Sequence, residues 1–112
     1  MEVTFARSKE HKLCNSASKL RGEYGPRMAE LIQERLASLV AAESLAVLRN
    51  LPGRCHELTG DLKGYLALDL VHPNRLVFRP TEDPLPELKG GGLDWDGVHG
   101  VEVWRIGDYH RS

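Results

Sequence analysis

The stretch Gly64–Arg79, GYLALDLVHPNRLVFR, decides the fold class. A leucine stands at every second position from residue 66 to residue 70, which is the period of a β-strand with one face against a core. His72-Pro73-Asn74 then turns the chain, and residues 75 to 79 alternate again. The sequence therefore predicts two strands, Gly64–Val71 and Arg75–Arg79, joined by a short turn.

Three further strands flank this pair. Val3–Phe5 carries β-branched and aromatic residues typical of a short leading strand, and Cys55–Leu58 precedes a turn at Thr59–Lys63. Val101–Ile106 is the last predicted strand. Between strands, Pro80–Gly100 contains three prolines, five glycines and five acidic residues, so it is predicted to be an extended surface insertion.

Two amphipathic helices separate the leading strand from the others. Apolar residues recur on one helical face from Ser8 to Tyr24, and Gly25-Pro26 then ends the first helix and opens the second. A continuous apolar stripe from Met28 to Val40 marks the second helix, and Ser44–Leu48 predicts a short helical turn. The order β-α-α-β-β-β-β predicts a single α+β domain over residues 1–112. Both helices pack on one face of a mainly antiparallel twisted sheet, and the chemistry is expected on the helix-free face.

Composition narrows the class of protein. The 112 residues are 41% hydrophobic and 28% charged, and no stretch is long and apolar enough to span a membrane or serve as a secretory signal, so we expect a cytoplasmic chain. Two cysteines without metal-ligand spacing predict reduced thiols and no zinc site, and we expect no cofactor. Residues 80–100 carry a local charge of −4 and the remainder +3, which is compatible with nucleic-acid binding.

Several side chains could cleave RNA without a metal ion. That reaction needs a base for the 2′-hydroxyl, an acid for the leaving oxygen and cations for the phosphate. His56, Asp108 and His110 can exchange protons, and Arg75 and Arg79 share one face of a strand, where guanidinium groups can clamp phosphate. These residues predict an acid/base site with phosphate-binding arginines.

Each candidate also has a structural interpretation. His56 could be a structural histidine, Asp108 could pair with an arginine, and Tyr109 could pack, although its ring would equally offer a base a stacking platform. A surface ion pair explains Arg79 as well as phosphate binding does. Lys63, in the turn, could bind phosphate or be solvated.

The order of these motifs resembles a known family. The pattern x-H-x-L-x-G-D-x-x-G at residues 55–64, N-R-L-x-F at 74–78 and D-Y-H at 108–110 is similar to that of HigB-type toxins. These toxins, often labelled plasmid maintenance system killer proteins, belong to the RelE/ParE superfamily of toxin–antitoxin systems. The resemblance extends over almost the whole chain, since the two leading helices also fit.

The resemblance implies a RelE-like fold and a ribosome-dependent endoribonuclease that cleaves mRNA in the A site. It implies functional roles for His56, Arg75 and the terminal Asp108, Tyr109 and His110. A helix-turn-helix HigA-like antitoxin would neutralise the toxin, and together they would form a heterotetramer. The acidic insertion at residues 80–100 departs from the compact members of the family and leaves activity and codon preference open.

Other functions remain possible at this point. A ParE-like gyrase poison is disfavoured because such proteins lack a terminal acid/base cluster. A non-catalytic RNA- or protein-binding module could keep the fold without the activity. A metal-dependent hydrolase could use His56, His110 and Asp108, but these residues match no recognised ligand motif. Neither helix has the basic face of a DNA-binding regulator.

Overall fold

A computed structural model of the chain describes residues 1–109. Two single turns of 3-10 helix, Gly60–Leu62 and Trp95–Gly97, accompany the helices and strands. The predicted α+β class is confirmed. The main elements in chain order are β1 (Glu2–Phe5), α1 (Ser8–Cys14), α2 (Ala17–Tyr24), α3 (Pro26–Ala41), α4 (Leu45–Leu48), β2 (His56–Glu57), β3 (Leu66–Asp69), β4 (Arg75–Pro80) and β5 (Gly100–Gly107).

The strands form one five-stranded sheet in the order β1-β5-β4-β3-β2. β1 runs parallel to β5, and the other neighbouring pairs are antiparallel, as predicted. β5 therefore lies inside the sheet, between β1 and β4, although it is the last strand along the chain. Its side chains consequently reach both faces of the sheet near its middle.

The main core lies between the helices and one sheet face. The alternation read from the sequence places the predicted side chains of β3 and β4 in this core. A fully buried leucine or phenylalanine contributes about 1.5–3 kcal/mol, so these contacts supply most of the stability. The completely buried members include Leu20, Ile32, Leu39 and Leu45 from the helices, and Leu68, Leu76 and Phe78 from the sheet.

The first predicted helix is two helices. The prediction of one helix over Ser8–Tyr24 was wrong because the chain breaks at residues 15–16, where the Ser16 hydroxyl accepts a hydrogen bond from the Lys19 amide at 3.3 Å and caps α2. Pro26 begins α3, as predicted. α3 has 16 residues, and no helix within residues 1–109 combines the length and apolarity needed to cross a bilayer.

Part of the acidic insertion belongs to the core. The side chains of Trp95 and Val98 are buried, and the Trp95 indole N–H donates to a carboxylate oxygen of Glu57 at 3.0 Å. The Arg49 guanidinium lies 3.9 Å from the Trp95 ring centroid. The prediction of a surface insertion was therefore wrong for Trp95 and Val98, whose apolar side chains are buried in the core.

The helix-free face is covered at its centre. Leu58, Ala67 and Val77 are buried there, and the partly exposed Tyr65, Trp104 and Tyr109 pack against them. Packed side chains therefore close the centre of this face, which the two helices were predicted to leave open. Apolar side chains at the middle of a sheet face are stabilised when aromatic rings pack over them and exclude water.

Candidate active site

A β-bulge shapes the helix-free face. Val77 of β4 lies opposite Arg105 of β5, whereas its neighbour Phe78 lies opposite Val103, so Trp104 is an extra residue in β5. Trp104 and Arg105 therefore both reach the helix-free face, and Ile106 returns to the core. Bulges commonly re-aim side chains in this way beside functional sites.

The bulge completes a row of residues across the sheet. His56 lies opposite Ala67, Ala67 opposite Val77, and Val77 opposite Arg105. Residues directly opposite one another share a face, so His56 and Arg105 stand on the same side, on the order of 14 Å apart at the backbone over three strand spacings. The neighbouring row on the same face contains Arg75.

His56 is oriented as a proton acceptor. Its Nδ1 atom lies 2.8 Å from the carbonyl oxygen of Arg54. A carbonyl oxygen can only accept a hydrogen bond, so Nδ1 is the donor, and whenever the ring is neutral its lone pair is at Nε2. This tautomer is the one a general base working through Nε2 requires.

Arg54 and Asp69 hold the carbonyl that orients His56. The Arg54 guanidinium donates to both carboxylate oxygens of Asp69, at 2.7 and 3.2 Å, and this hydrogen bonding raises the pKa of Arg54. The Arg54 backbone has φ +50°, a left-handed conformation that costs a non-glycine residue roughly 1–2 kcal/mol. Such strain persists where surrounding contacts enforce it, and it is common at functional sites.

Two arginines on this face have donor atoms without acceptors. The Arg75 side chain is 13% exposed, and its Nε lies 3.7 Å from Asp69 Oδ1, within ion-pair range but beyond a hydrogen bond. Nε of Arg75 and Nε of Arg105 are buried and have no hydrogen-bond partner among residues 1–109. An unsatisfied buried donor costs about 1–3 kcal/mol, and a side-chain rearrangement that brings a phosphate oxygen to these donors would relieve this cost.

Three aromatic rings lie beside these arginines. The ring centroids of Tyr65 and Trp104 are 5.2 Å apart, and those of Trp104 and Tyr109 are 5.3 Å apart. The Arg105 guanidinium carbon lies 5.0 Å from the Trp104 ring. A side chain at Gly107 would place its Cβ 3.1 Å from the Tyr109 ring, so the chain folds back closely after β5. Partly exposed rings of this kind can stack on unpaired bases.

The structure brings several predicted site residues together. His56 and Arg75 stand on the helix-free face, and Tyr109 packs on that face through Trp104. Asp108 is exposed and directly follows β5. His110 lies outside the described residues.

Two predicted phosphate-binding residues stand apart from this group. Arg79 is four residues along β4 from Arg75, about 13 Å at the rise of an extended strand, and donates to Glu102 at 2.9 Å. Lys63 is exposed in the turn before β3. The ion pair of Arg79 matches its structural interpretation, and phosphate binding by Arg79 and Lys63 stays a prediction.

Arg105 could have been found from the sequence. The β-branched residues of β5 stand at positions 101, 103 and 106, so their spacing changes from two to three after Val103. That change is the signal of a bulge, and it places Trp104 and Arg105 on the same face. The roles of Arg54 and Asp69 depend on the left-handed backbone of Arg54, and no comparable pattern in the sequence indicates them.

Other catalytic chemistries find little support. Burial raises the pKa of the Cys14 thiol to about 11 and that of Cys55 to about 12, so neither is a thiolate nucleophile at neutral pH. Within residues 1–109, no three His, Cys, Asp or Glu side chains are grouped to hold a metal ion.

Comparisons of the whole chain reveal similarity only to solved structures. No protein-family model matches the sequence, and no curated protein is detectably similar to it. A YoeB/ParE toxin from Agrobacterium tumefaciens superposes with a TM-score of 0.58 at 15% identity, over 97% of this chain and 99% of that one. The YoeB-YefM complex from Staphylococcus aureus gives 0.57 at 17% identity, and the YoeB dimer from the same organism gives 0.56 at 18%. Both cover 99% of this chain and 98% of theirs, so the chain has the fold of these toxins.

Proposed function

We propose that this chain is the toxin of a type II toxin–antitoxin system and that it is a ribosome-dependent endoribonuclease. In this proposal it cleaves mRNA in the ribosomal A site by metal-independent acid/base catalysis. The fold shared with YoeB and ParE toxins is consistent with this class but does not decide between cleavage and binding.

The observation that carries the proposal is the placement of His56, Arg75 and Arg105 on one sheet face. His56 Nε2 would take the proton of the 2′-hydroxyl as it attacks the adjacent phosphorus. Arg75 and Arg105 would donate to the phosphoryl oxygens as their negative charge increases. Trp104 and Tyr109 would stack on bases and hold the RNA against the face.

The departing 5′-oxygen requires a proton from an acid. The proposal gives this role to Asp108 or His110, since both follow β5 and Tyr109 between them packs on the helix-free face. Accurate placement matters because a small displacement of reacting groups lowers the rate strongly. Dependence on the ribosome would follow if the ribosome supplies the RNA geometry that the toxin alone does not impose.

The proposed physiological partner is an antitoxin. A solved structure with this fold is the YoeB-YefM complex, in which the toxin is bound to its partner. For the present chain we propose a HigA-like helix-turn-helix antitoxin, as the sequence motifs imply, in a toxin–antitoxin heterotetramer. Copurification of the chain with the protein encoded beside it would identify this partner.

The decisive test is cleavage of mRNA on programmed ribosomes, mapped by primer extension. The wild-type protein should produce breaks at the A-site codon only when ribosomes are present. Arg75→Ala should lower the cleavage rate by at least about 100-fold, because it removes donors to the transition-state phosphate. Arg27→Ala, an exposed arginine on α3, is the matched control and should cleave like the wild type.

The competing proposal is a non-catalytic binding module, such as a ParE-like gyrase poison. It predicts no mRNA breaks from a folded protein and unchanged growth inhibition in His56→Ala. Inhibition of DNA supercoiling by purified gyrase would then identify the target. Growth inhibition that disappears in both His56→Ala and Arg75→Ala, together with loss of the breaks, favours the endoribonuclease.

A further inference from the structure

A groove separates the acidic insertion from the turn between β2 and β3. It consists of two adjoining depressions of about 460 and 720 Å³, which share Lys63, Gly64, Pro80 and Leu85 in their walls. We call it the insertion groove. It lies toward the opposite end of β4 from Arg75 and shares Tyr65 with the aromatic rings of the candidate active site.

Negative charge dominates this groove. Five carboxylates line it, and only Lys63 and Arg79 oppose them among the lining residues. Arg79 is already paired with one of the carboxylates, at 2.9 Å. Such a surface attracts cationic groups and repels phosphates, so binding of a cation here and the predicted phosphate binding by Lys63 and Arg79 are alternatives. The lining carboxylates belong to Glu57, Glu82, Asp83, Glu87 and Glu102.

Glu82 has an oxygen that lacks a donor. Its Oε2 accepts a hydrogen bond from the backbone amide of His99 at 2.7 Å. Its Oε1 is buried and has no hydrogen-bond partner within residues 1–109. A buried carboxylate oxygen without a donor is costly, so rotation of the Glu82 side chain toward a guanidinium group in the groove would relieve this cost through a charge-assisted hydrogen bond.

Apolar side chains lie next to these charges. Leu85 lines both depressions and is 44% exposed, and Leu88, three residues later, is 53% exposed. Leu58, Leu66 and Leu93 form apolar wall in the larger depression. Exposed leucines beside a concave apolar wall are typical of a surface that anchors a partner's aliphatic side chains.

We infer that the insertion groove binds a basic amphipathic segment of a protein partner. The leucines of the segment pack on Leu85 and the apolar wall, and its arginines bind Glu82 and the other carboxylates. The excess of carboxylates selects a cationic peptide over RNA, because phosphates would meet like charge. This inference does not depend on endoribonuclease activity.

Fluorescence anisotropy with a labelled synthetic peptide of leucine and arginine, arranged as an amphipathic helix, tests the inference. Two matched peptides replace every arginine with glutamate or every leucine with serine. Leu85→Ser and Glu82→Gln should each weaken binding of the first peptide by at least about tenfold, since each removes one anchor. Val40→Ser and Glu30→Gln, exposed positions on α3, are the controls and should bind as the wild type does.

Binding that needs both leucine and arginine in the peptide, and that falls in both groove variants, supports the inference. Equal binding of the serine peptide, or unchanged binding by Leu85→Ser and Glu82→Gln, overturns it in favour of unspecific charge attraction. Displacement of the peptide by single-stranded RNA equally in wild type and Arg75→Ala also overturns it, because the groove would then accept nucleic acid. Asp83→Asn, which is exposed, should weaken binding even if Glu82→Gln does not fold.

Discussion

Replacing Trp95 with alanine should lower the free energy of unfolding by about 3–5 kcal/mol, the usual cost of removing a buried tryptophan ring. The side chain is only 9% exposed, so its removal would leave a cavity in the core or expose the residues around it to water. The change also removes the hydrogen bond to Glu57 and the contact with Arg49, which places the loss toward the upper end of this range. The total free energy of unfolding of a domain of this size is about 5–15 kcal/mol, so this loss would be a large part of it.

Trp95→Phe separates the ring from the polar contact. Phenylalanine keeps most of the buried ring but cannot donate to Glu57, so the free energy of unfolding should fall by about 1–2 kcal/mol. The loss is smaller than the full value of a hydrogen bond to a charged group because the Glu57 side chain is exposed to solvent. Leu88→Ala, in the same insertion and 53% exposed, should change stability by less than about 0.5 kcal/mol.

Urea unfolding followed by far-ultraviolet circular dichroism measures all three variants without relying on tryptophan emission. The reasoning would be refuted if Trp95→Ala were no less stable than Leu88→Ala, since the insertion would then not be anchored in the core. Trp95→Phe should also retain ribosome-dependent cleavage, because Trp95 lies away from the helix-free face.

Three further outcomes follow from the described contacts. Asp69→Asn weakens the ion pair that fixes the position of His56 and should lower cleavage about tenfold with a near-normal urea midpoint, measured by single-turnover kinetics. Arg7 donates two hydrogen bonds to the buried Glu10 and lowers the pKa of that carboxyl below the ordinary 4.5. The pair therefore stabilises the fold above pH 4.5, and its contribution is lost as the pH falls through the lowered pKa. Glu10→Gln should remove this acid-dependent loss of stability, as measured by unfolding at a series of acidic pH values. Cys14 and Cys55 should react with a thiol reagent far more slowly than an exposed cysteine at pH 8, and equal rates in native and urea-unfolded protein would contradict their burial.

Local patterns predicted most of the fold. The alternation in β3 and β4 and the apolar stripe of α3 are properties of neighbouring residues, and both produced buried faces. The prediction was wrong for Val40, which is 62% exposed near the end of α3. The break before α2 had a local signal as well, since Ser16 is a preferred capping residue, but the apolar period continued through it and concealed it.

The candidate site was predicted less completely because its geometry comes from pairing between distant segments. Arg105 reaches the helix-free face through its register with Val77. Trp95 packs in the core and contacts Glu57 and Arg49, both far from it along the chain. The left-handed backbone of Arg54 is held by Asp69, fifteen residues later. The local sequence of a segment does not show which distant residues will contact it, so the composition of the acidic insertion alone predicted solvent exposure.

The interior position of β5 determines when the sheet can form during synthesis of the chain. Glu2 pairs with Gly100, and β4 pairs with the same late strand, so neither β1 nor the inner edge of β4 has its neighbour until β5 has been synthesised and has emerged. The row that ends in Arg105 cannot assemble before then. Contacts between such distant parts of a chain also form slowly. Until β5 is available, the chain therefore cannot present the surface that, on our proposal, acts on mRNA.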